Sequence, residues 1–348
     1  MKRVVLIRAD ANQLIGSGHV MRCSAVAREI MRFGGEVLFA VSDDASARFV
    51  RSMGFSVHIL PGDMRSLGRG DGQRLADLAD KVGAKCVLVD TYAVTGAFFD
   101  ALCPFRRQGG RVAYLDDLFT FRRSYHTEPQ ERPVDVVVNY SFSASADAYD
   151  RVYGNSSVLC LVGPTYAPVR SQFRHRSRVC DPKVHKILVT SGSTNKDGLL
   201  ENLVGVCLRT VPTARVTVIV GKMAVYTGPR GGRIDVLRDV SDMASVMEDA
   251  DIALSAAGST LYELATVGVP TVAVASTDNQ SLNAEGFEKM GLGPVVRYEE
   301  ERFVGGDLTA IVSILIEDDD TRAVMAKRGS SIVDGQGASR ISTVLLQC

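Results

Sequence analysis

The sequence has no net charge, no long apolar run and no clustered cysteines or histidines. Its 40 basic and 40 acidic side chains cancel over 348 residues. Proteins that bind polyanions or membrane surfaces usually carry basic clusters, so we expect neither a nucleic acid polymer nor a stable membrane association. No stretch approaches the ~20 apolar residues of a membrane span. Because Arg8 and Asp10 interrupt the first apolar run, we expect no signal peptide and a cytoplasmic protein.

The cysteines and histidines are scattered along the chain. The seven cysteines include no C-x-x-C pair, and the five histidines form no H-E-x-x-H motif. Neither a disulfide framework nor a zinc site fits such spacing. We therefore expect no metal site and no bound cofactor.

Short apolar runs alternate with amphipathic stretches along most of the chain. Such alternation predicts an α/β fold in which helices cover both faces of a parallel sheet. The predicted strands lie at Arg3–Ala9, Gly35–Val41, Phe55–Leu60, Lys85–Asp90, Arg111–Asp117 and Val134–Tyr140 in the first half, and at Lys186–Gly192, Ala214–Gly221, Asp251–Ser259 and Pro270–Ser276 in the second.

The alternation lapses between Gly163 and His185, where prolines and arginines cluster. Since domains contain about 150 residues on average, the length predicts two. We place an N-terminal domain at residues 1–170 and a C-terminal domain at residues 171–348. It stays open whether the last helix packs back on the N-terminal domain, and the oligomeric state is not predicted.

The first candidate site is the turn Gly16-Ser17-Gly18-His19, which follows the first predicted strand. Parallel sheets bind ligands at the carboxyl ends of their strands, and helix N-termini offer free N–H groups to anions. Met21 stands where a dinucleotide-binding G-x-G-x-x-G motif needs glycine. An imidazole at this place suits a general base. The competing interpretation is a tight turn whose histidine makes only local hydrogen bonds.

The second candidate site runs from Ser255 to Glu263, where a strand ends and a helix begins. The first helical turn, at Ser259 or Thr260, is suited to hold a diphosphate. Glu263 lies on the same helical face and is suited to accept the hydroxyls of a ribose. The competing interpretation is a capping box between Thr260 and Glu263.

Weaker signals lie at the ends of other predicted strands. These are Thr190–Thr194, Asp90–Tyr92 and Thr277–Gln280. In the last of these segments, the side-chain amides of Asn279 and Gln280 are suited to contact sugar hydroxyls, although a plain surface turn would have the same pattern. The adjacent Asp116 and Asp117 point apart in an extended chain, which favours helix capping over an acid–base pair.

Six motifs occur in order along the chain: R-A-D-x(5)-G-S-G-H-V-M-R-C from Arg8, D-x-Y from Asp90, G-P-x-Y-A-x-x-R from Gly163, G-S-T-x-x-E from Gly258, D-N-Q from Asp278, and V-D-G-x-G-A-x-R-I from Val333. Together they resemble the UDP-sugar hydrolases of the pseudaminic acid pathway and the related spore-coat polysaccharide proteins. These families are relatives of the transferase that adds N-acetylglucosamine to the peptidoglycan lipid precursor.

The resemblance implies a GT-B architecture, with two Rossmann-like parallel-sheet domains facing across a cleft and the nucleotide bound mainly by the C-terminal one. It implies His19 as the catalytic residue. The implied nucleotide-binding residues are Gly192, Ala257, Gly258, Ser259, Thr260 and Glu263. The implied substrate-binding residues are Asp10, Gly16, Ser17, Gly18, Tyr92, Tyr166, Asn279 and Gln280.

The reaction implied by the resemblance is hydrolysis of UDP-2,4-diacetamido-2,4,6-trideoxy-β-L-altropyranose at the anomeric carbon, with His19 as base toward water. Three alternatives stay open. One is a GT-B glycosyltransferase that uses a UDP-sugar donor. Another is a hydrolase of a different nucleotide-linked compound, for example a CMP-linked one, in a secondary-metabolite pathway. The third is a nucleotide-sugar-binding subunit without catalysis.

Overall fold

The computed structural model describes residues 3–12, 15–119, 134–176, 178 and 181–347. The chain divides into two compact units. Unit 1 takes in Met1–Pro168 and Gln336–Cys348, and unit 2 takes in Val169–Gly335. This division falls two residues before the boundary placed at 170/171 from the sequence, and it assigns the chain end to unit 1.

Unit 1 is built on a parallel sheet, in which the described residues form seven strands in the order β3-β2-β1-β4-β5-β6-β7. The inner strands are fully buried because helices cover both faces, which is why their sequences are continuous apolar runs. The strands are β1 Val4–Arg8, β2 Glu36–Val41, β3 Ser56–Ile59, β4 Ala84–Val89, β5 Arg111–Leu115, β6 Val136–Asn139 and β7 Leu159–Val162. In the centre, Leu6 pairs with Leu38 on one side and with Val87 on the other.

The helices of unit 1 follow its strands along the chain. They are α1 Gly18–Arg32, α2 Asp44–Ser52, α3 Arg69–Lys81, α4 Gly96–Asp100, α5 Cys103–Arg107 and α6 Ala146–Tyr153. A short 3-10 helix, Pro164–Tyr166, precedes the end of the unit's first segment. Asp43 caps α2 by accepting a hydrogen bond from the Ser46 N–H, at 2.7 Å.

Unit 2 repeats this plan with the described strand order β10-β9-β8-β11-β12-β13-β14. The strands are β8 Lys186–Thr190, β9 Arg215–Val220, β10 Ile234–Arg238, β11 Ile252–Ala256, β12 Thr271–Ala275, β13 Val295–Glu299 and β14 Arg302–Val304. The edge strand β14 pairs with β13 in antiparallel fashion. Its helices are α7 Leu199–Thr210, α8 Met243–Glu248, α9 Thr260–Val267, α10 Asp278–Lys289, α11 Leu308–Glu317 and α12 Asp319–Ile332, with 3-10 turns at Ser171–Phe173 and Lys196–Gly198.

The last helix, α13 (Gly337–Gln347), packs against α1 of unit 1. The Ser342 hydroxyl donates to the Val26 carbonyl at 2.9 Å. At Gly337 the helix comes so close to the chain that a Cβ would lie 2.2 Å from the Ala167 carbonyl oxygen. Only glycine therefore fits at this contact.

Both strand orders reverse direction at one point, between β1 and β4 in unit 1 and between β8 and β11 in unit 2. In open α/β sheets, ligands bind beyond the carboxyl ends of the strands at such a switch point. The predicted α/β class with two Rossmann-like, parallel-sheet domains is confirmed.

Three further features concern only the part of the chain that the structure describes. None of its helices combines the length and the apolar character needed to cross a membrane. No group of three or more His, Cys, Asp or Glu side chains there is arranged to hold a metal ion. None of the described cysteines, Cys23, Cys86, Cys103, Cys160 and Cys207, forms a disulfide, and Cys180 and Cys348 lie outside the described residues.

Candidate functional site

The switch point of unit 1 is occupied by the turn between β1 and α1. Gly16 adopts a left-handed φ of 74°, which an L side chain rarely does, and its N–H donates to the Asn12 carbonyl at 2.8 Å. Helix α1 begins at Gly18, and the Ser17 side chain makes no capping hydrogen bond to it. A Cβ at Gly18 would meet no atom within 4 Å. The turn therefore presents an uncapped helix N-terminus with open space beside it.

His19 lies in the first turn of α1, and its ring binds a carboxylate from the other side of the switch point. Nδ1 of His19 lies 2.7 Å from Oδ1 of Asp90, which directly follows β4. Asp90 is fully buried, and its backbone N–H donates to the Arg8 carbonyl at the end of β1. The Tyr92 ring packs edge-on against the imidazole, with the ring centroids 4.6 Å apart. Within the described residues, Nε2 of His19 has no hydrogen-bond partner.

Arg22, one helical turn after His19, connects this pair to a second carboxylate. Its Nε donates to Asp90 Oδ2 at 2.6 Å and its Nη2 to Asp90 Oδ1 at 2.5 Å. Its Nη1 donates to Asp117 Oδ2 at 2.5 Å and to the Tyr140 hydroxyl at 2.7 Å. Burial lowers the pKa of Arg22, but the charges of Asp117 and Asp90 outweigh burial, so the pKa lies well above its ordinary value.

The charges around the imidazole determine its tautomer. Burial raises the pKa of Asp90, but Arg22 and His19 lower it by a larger amount. The pKa therefore lies well below its ordinary value, and Asp90 is a carboxylate. Nδ1 of His19 faces the Asp90 carboxylate at 2.7 Å and also lies 3.0 Å from Arg22 Nη2. Because Arg22 Nη2 already donates to Asp90 Oδ1, the carboxylate favours a proton on Nδ1, which leaves the lone pair on Nε2. Two carboxylates, Asp90 and Asp117, face the one guanidinium of Arg22.

Cys23 and Asp117 complete the surroundings of Arg22 and Asp90. Burial raises the pKa of the Cys23 thiol, which donates to Asp90 Oδ2 at 3.3 Å. Asp117 accepts a hydrogen bond from the Tyr92 hydroxyl at 3.1 Å besides that from Arg22. The capping role favoured from the sequence does not describe this carboxylate, since its partners are side chains of the His19 cluster.

Two residues that the family resemblance implies for substrate binding, Asp10 and Tyr166, have no hydrogen bond to this cluster among the described residues. Asp10 is 2% exposed, and its carboxylate binds Arg8 and the backbone N–H and hydroxyl of Ser42. Asp10 thus connects the chain after β1 to the residue that follows β2, Ser42. Tyr166 ends the 3-10 turn Pro164–Tyr166, where its N–H donates to the Gly163 carbonyl at 3.0 Å.

In unit 2 the two loops at the switch point are shaped by glycines and small residues. Gly192 follows β8 with a φ of 81°, and a Cβ at Gly221 would lie 2.1 Å from the Gly192 carbonyl oxygen. Ala257 and Gly258 follow β11, and a Cβ at Gly258 would meet no atom within 4 Å. Within the described residues, the hydroxyls of Ser259 and Thr260 have no hydrogen-bond partner, and α9 has no side-chain cap. This N-terminus is therefore available to an anion.

Glu263, in the first turn of α9, binds an arginine instead of its own helix. Nε and Nη2 of Arg170 lie 2.6 Å and 2.9 Å from the two oxygens of the Glu263 carboxylate. The capping box considered from the sequence does not form, because the N-cap residue is Ser259 and Glu263 is turned toward Arg170.

A cavity of about 410 Å³ lies within unit 2 beside the loops that follow β8 and β12. Its polar lining includes Lys196, Ser276 and Gln280, and no lining residue carries a carboxylate. The Lys196 ammonium donates to the Ser276 carbonyl at 3.1 Å, and Gln280 Oε1 accepts from the Ser276 N–H at 2.9 Å. Asn279 instead binds the Thr277 hydroxyl at 2.6 Å and does not line the cavity.

Comparison with known proteins finds a domain match in the second half of the chain. Residues 186–336 match the Glycosyltransferase family 28 C-terminal domain. The Spore coat polysaccharide biosynthesis protein SpsG of Bacillus subtilis (strain 168) is 23% identical over 227 residues, which span 61% of this chain and 64% of that relative. The UDP-N-acetylglucosamine--N-acetylmuramyl-(pentapeptide) pyrophosphoryl-undecaprenol N-acetylglucosamine transferase of Lacticaseibacillus casei (strain BL23) is 32% identical over 28% of each chain.

Solved structures extend the likeness to the whole fold. The crystal structure of MurG from Acinetobacter baumannii matches with a TM-score of 0.67 at 16% sequence identity and covers 100% of both chains. Identity at this level shows the fold alone. The fold is that of GT-B glycosyltransferases.

The sequence patterns left two residues of the two clusters without a role, Arg22 and Arg170, and favoured helix capping for Asp117. Arg22 had a detectable signal, since it lies three positions after His19 and therefore on the same face of α1. Arg170 closes the motif G-P-x-Y-A-x-x-R, but its partner lies 93 positions away. No local pattern indicates such a partner.

Proposed function

We propose that the protein cleaves a nucleotide-activated sugar at its anomeric carbon, with His19 as the general base for the incoming hydroxyl group. The observation that carries this proposal is the 2.7 Å contact between His19 Nδ1 and Asp90 Oδ1. In this proposal, that contact leaves Nε2 as the nitrogen that accepts the proton. A general base typically accelerates such a reaction about 10²–10⁴-fold.

The nucleotide is assigned to unit 2 because its helix terminus is suited to a diphosphate. Among the described residues, the N–H groups and the hydroxyls of Ser259 and Thr260 are unengaged, whereas the N–H groups of the next two residues donate to backbone carbonyls of the same turn. Gly258 leaves open space at the same turn. The positive end of the helix dipole stabilises the negative charge that develops on the departing diphosphate. The match of residues 186–336 to a glycosyltransferase domain supports the same assignment.

Water is the first candidate for the nucleophile. The oxygen of water attacks the anomeric carbon, the bond from that carbon to the diphosphate oxygen breaks, and His19 Nε2 takes the proton of the water. The Asp90 carboxylate beside Nδ1 stabilises the imidazolium. The motif from Arg8 to Cys23 supports a hydrolase, because it resembles that of the UDP-2,4-diacetamido-2,4,6-trideoxy-β-L-altropyranose hydrolases.

The second candidate is a glycosyltransferase, in which the hydroxyl of an acceptor replaces water. The observation that favours it is the family match of unit 2, together with the likeness to MurG and to a transferase of N-acetylglucosamine. The same base serves both reactions, because water and an acceptor hydroxyl each attack through an oxygen that must lose a proton.

One experiment separates these candidates. The purified protein is incubated with a panel of UDP-sugars and CMP-sugars in ¹⁸O-labelled water, and early products are analysed by mass spectrometry and NMR. Hydrolysis at the anomeric carbon places ¹⁸O in the free sugar, whereas label in the phosphate contradicts the proposed bond cleavage. Cleavage that needs an added acceptor identifies the transferase. Binding without cleavage of any compound would leave the non-catalytic alternative.

A further inference from the structure

Glu263 is paired in a geometry that restricts its carboxylate. The two parallel contacts from Arg170, 2.6 Å at Nε and 2.9 Å at Nη2, form a bidentate ion pair. The partners are 93 positions apart, and both belong to unit 2. The pair therefore connects the start of this unit to the first turn of α9.

Arg170 is itself held in place. It directly precedes the 3-10 turn Ser171–Phe173, and its guanidinium carbon lies 5.1 Å from the centroid of the Phe173 ring, which is fully buried. Burial lowers the pKa of Arg170, but the Glu263 charge outweighs burial, so the net shift is upward and the guanidinium stays charged. With side chains 25% and 16% exposed, Arg170 and Glu263 are held within the unit and remain accessible to a ligand.

A carboxylate held in this way retains acceptor capacity. Each oxygen has two lone pairs, and a bidentate arginine uses one on each oxygen. The remaining lone pairs are suited to accept hydrogen bonds from two neighbouring hydroxyl groups. Without Arg170, rotation about the side-chain bonds of Glu263 would spread the carboxylate over several orientations.

We propose that Arg170 is a positioning residue that orients Glu263 toward the 2′- and 3′-hydroxyls of a ribose. Arg170 thereby determines the preference for a ribonucleotide over its deoxy form. This inference rests on the proposed function, in which unit 2 binds the nucleotide.

The test is a double-mutant cycle measured by isothermal titration calorimetry. Wild type, Arg170→Met, Glu263→Gln and the double variant are titrated with UDP and 2′-deoxy-UDP, and with CMP and 2′-deoxy-CMP as a second pair. Wild type is expected to bind the ribonucleotide about ten- to a hundredfold more tightly, since it makes a charge-assisted hydrogen bond that the deoxy form lacks. Arg170→Met should lose most of this preference and bind the deoxy form almost as wild type does. In the Glu263→Gln background it should change nothing further.

Three results overturn the inference. An unchanged preference in Arg170→Met would show that Glu263 needs no positioning. Equal weakening of the ribo and deoxy forms would show that Arg170 contacts another part of the nucleotide or only supports the fold. Absence of any nucleotide binding by wild type would reject the proposed function, and the inference with it, so the two failures are distinguishable.

Two further variants keep the test informative. Arg170→Lys retains the charge but not the bidentate contact, so an intermediate preference is expected even if Arg170→Met folds poorly. Arg106→Met is the matched control, because Arg106 makes the same bidentate contact with Asp135, at 2.9 Å and 2.7 Å, and these side chains are 22% and 18% exposed. This pair lies in unit 1, so its loss should leave the ribose preference unchanged.

Discussion

His19 Nδ1 lies 2.7 Å from Asp90 Oδ1 at the point where the strand order of unit 1 reverses. His19 follows β1 and Asp90 follows β4, so two neighbouring strands bring together residues that are 71 positions apart. The buried carboxylate orients the imidazole and selects its tautomer. The pairing of β1 with β4 therefore determines which imidazole nitrogen faces the carboxylate.

Replacing His19 with asparagine should lower kcat strongly and leave the affinity for the nucleotide unchanged. The change removes the base but leaves the nucleotide turn of unit 2 untouched, so we expect kcat to fall by about 10²–10⁴. Steady-state kinetics and calorimetry with the nucleotide measure the two effects separately. His58→Asn, on the exposed side of β3, is the matched control and should be unaffected. Full activity of the His19 variant would contradict the base assignment.

Asp90→Asn should destabilise the protein. Arg22 is buried between two carboxylates, and removing one partner of a buried ion pair costs about 3–5 kcal/mol. Urea denaturation at pH 7 measures this loss. Asp77→Asn is a suitable control, because within the described part of the chain Asp77 accepts only an exposed hydrogen bond from Gln73. A loss for Asp90→Asn no larger than that of the control would show that the cluster contributes nothing to stability.

The stability of the wild-type protein should fall in acid partly because of Asp90. Arg22 and His19 outweigh burial and hold the pKa of Asp90 below its ordinary value. A group whose folded-state pKa is depressed contributes fully above its unfolded-state pKa of about 3.9 and loses this contribution as the pH falls toward the folded-state value. Denaturation series at several pH values should thus show a steeper loss below about pH 4 for wild type than for Asp90→Asn. Parallel curves for the two proteins would contradict this account.

Gly258→Ala should weaken nucleotide binding without affecting the fold. An added Cβ would meet no protein atom within 4 Å, so the free energy of unfolding should change by less than about 0.5 kcal/mol. A methyl group at the first turn of α9 would, however, occupy the space assigned to the diphosphate. Thermal unfolding and calorimetry check both statements. Gly68→Ala, equally unobstructed but in unit 1, is the control, and equal affinities of both variants would reject the diphosphate assignment.

Most inner strands were predicted from their residues and most edge strands were not, with one exception each way: the edge strand Ser56–Ile59 was predicted, and the inner strand Val295–Glu299 was missed. Val4–Arg8 and Ile252–Ala256 are buried on both faces, so they are continuous apolar runs. Three of the edge strands are only partly buried: Leu159–Val162, Ile234–Arg238 and Arg302–Val304. Exposure on one side removes the apolar signal, and none of these three strands was predicted.

The candidate site was predicted only as far as its local chain geometry. Glycine-containing turns at Gly16–His19 and at Gly258–Thr260 followed from strand ends and helix starts, which are encoded within a few residues. The competing capping box was equally compatible with the Thr260–Glu263 spacing. Arg170, 93 residues away in sequence from Glu263, decides against it.

The sequence by itself determined the α/β class, the two-domain length and the turns that can bind an anion, because hydrophobic periodicity and glycine placement act over short distances. Only the tertiary structure decided which charged groups face one another. The pairs His19–Asp90, Arg22–Asp117 and Arg170–Glu263 each join distant segments. Such pairs form where the sheet brings strand ends together and burial makes an unpaired charge costly, a condition that no local pattern contains.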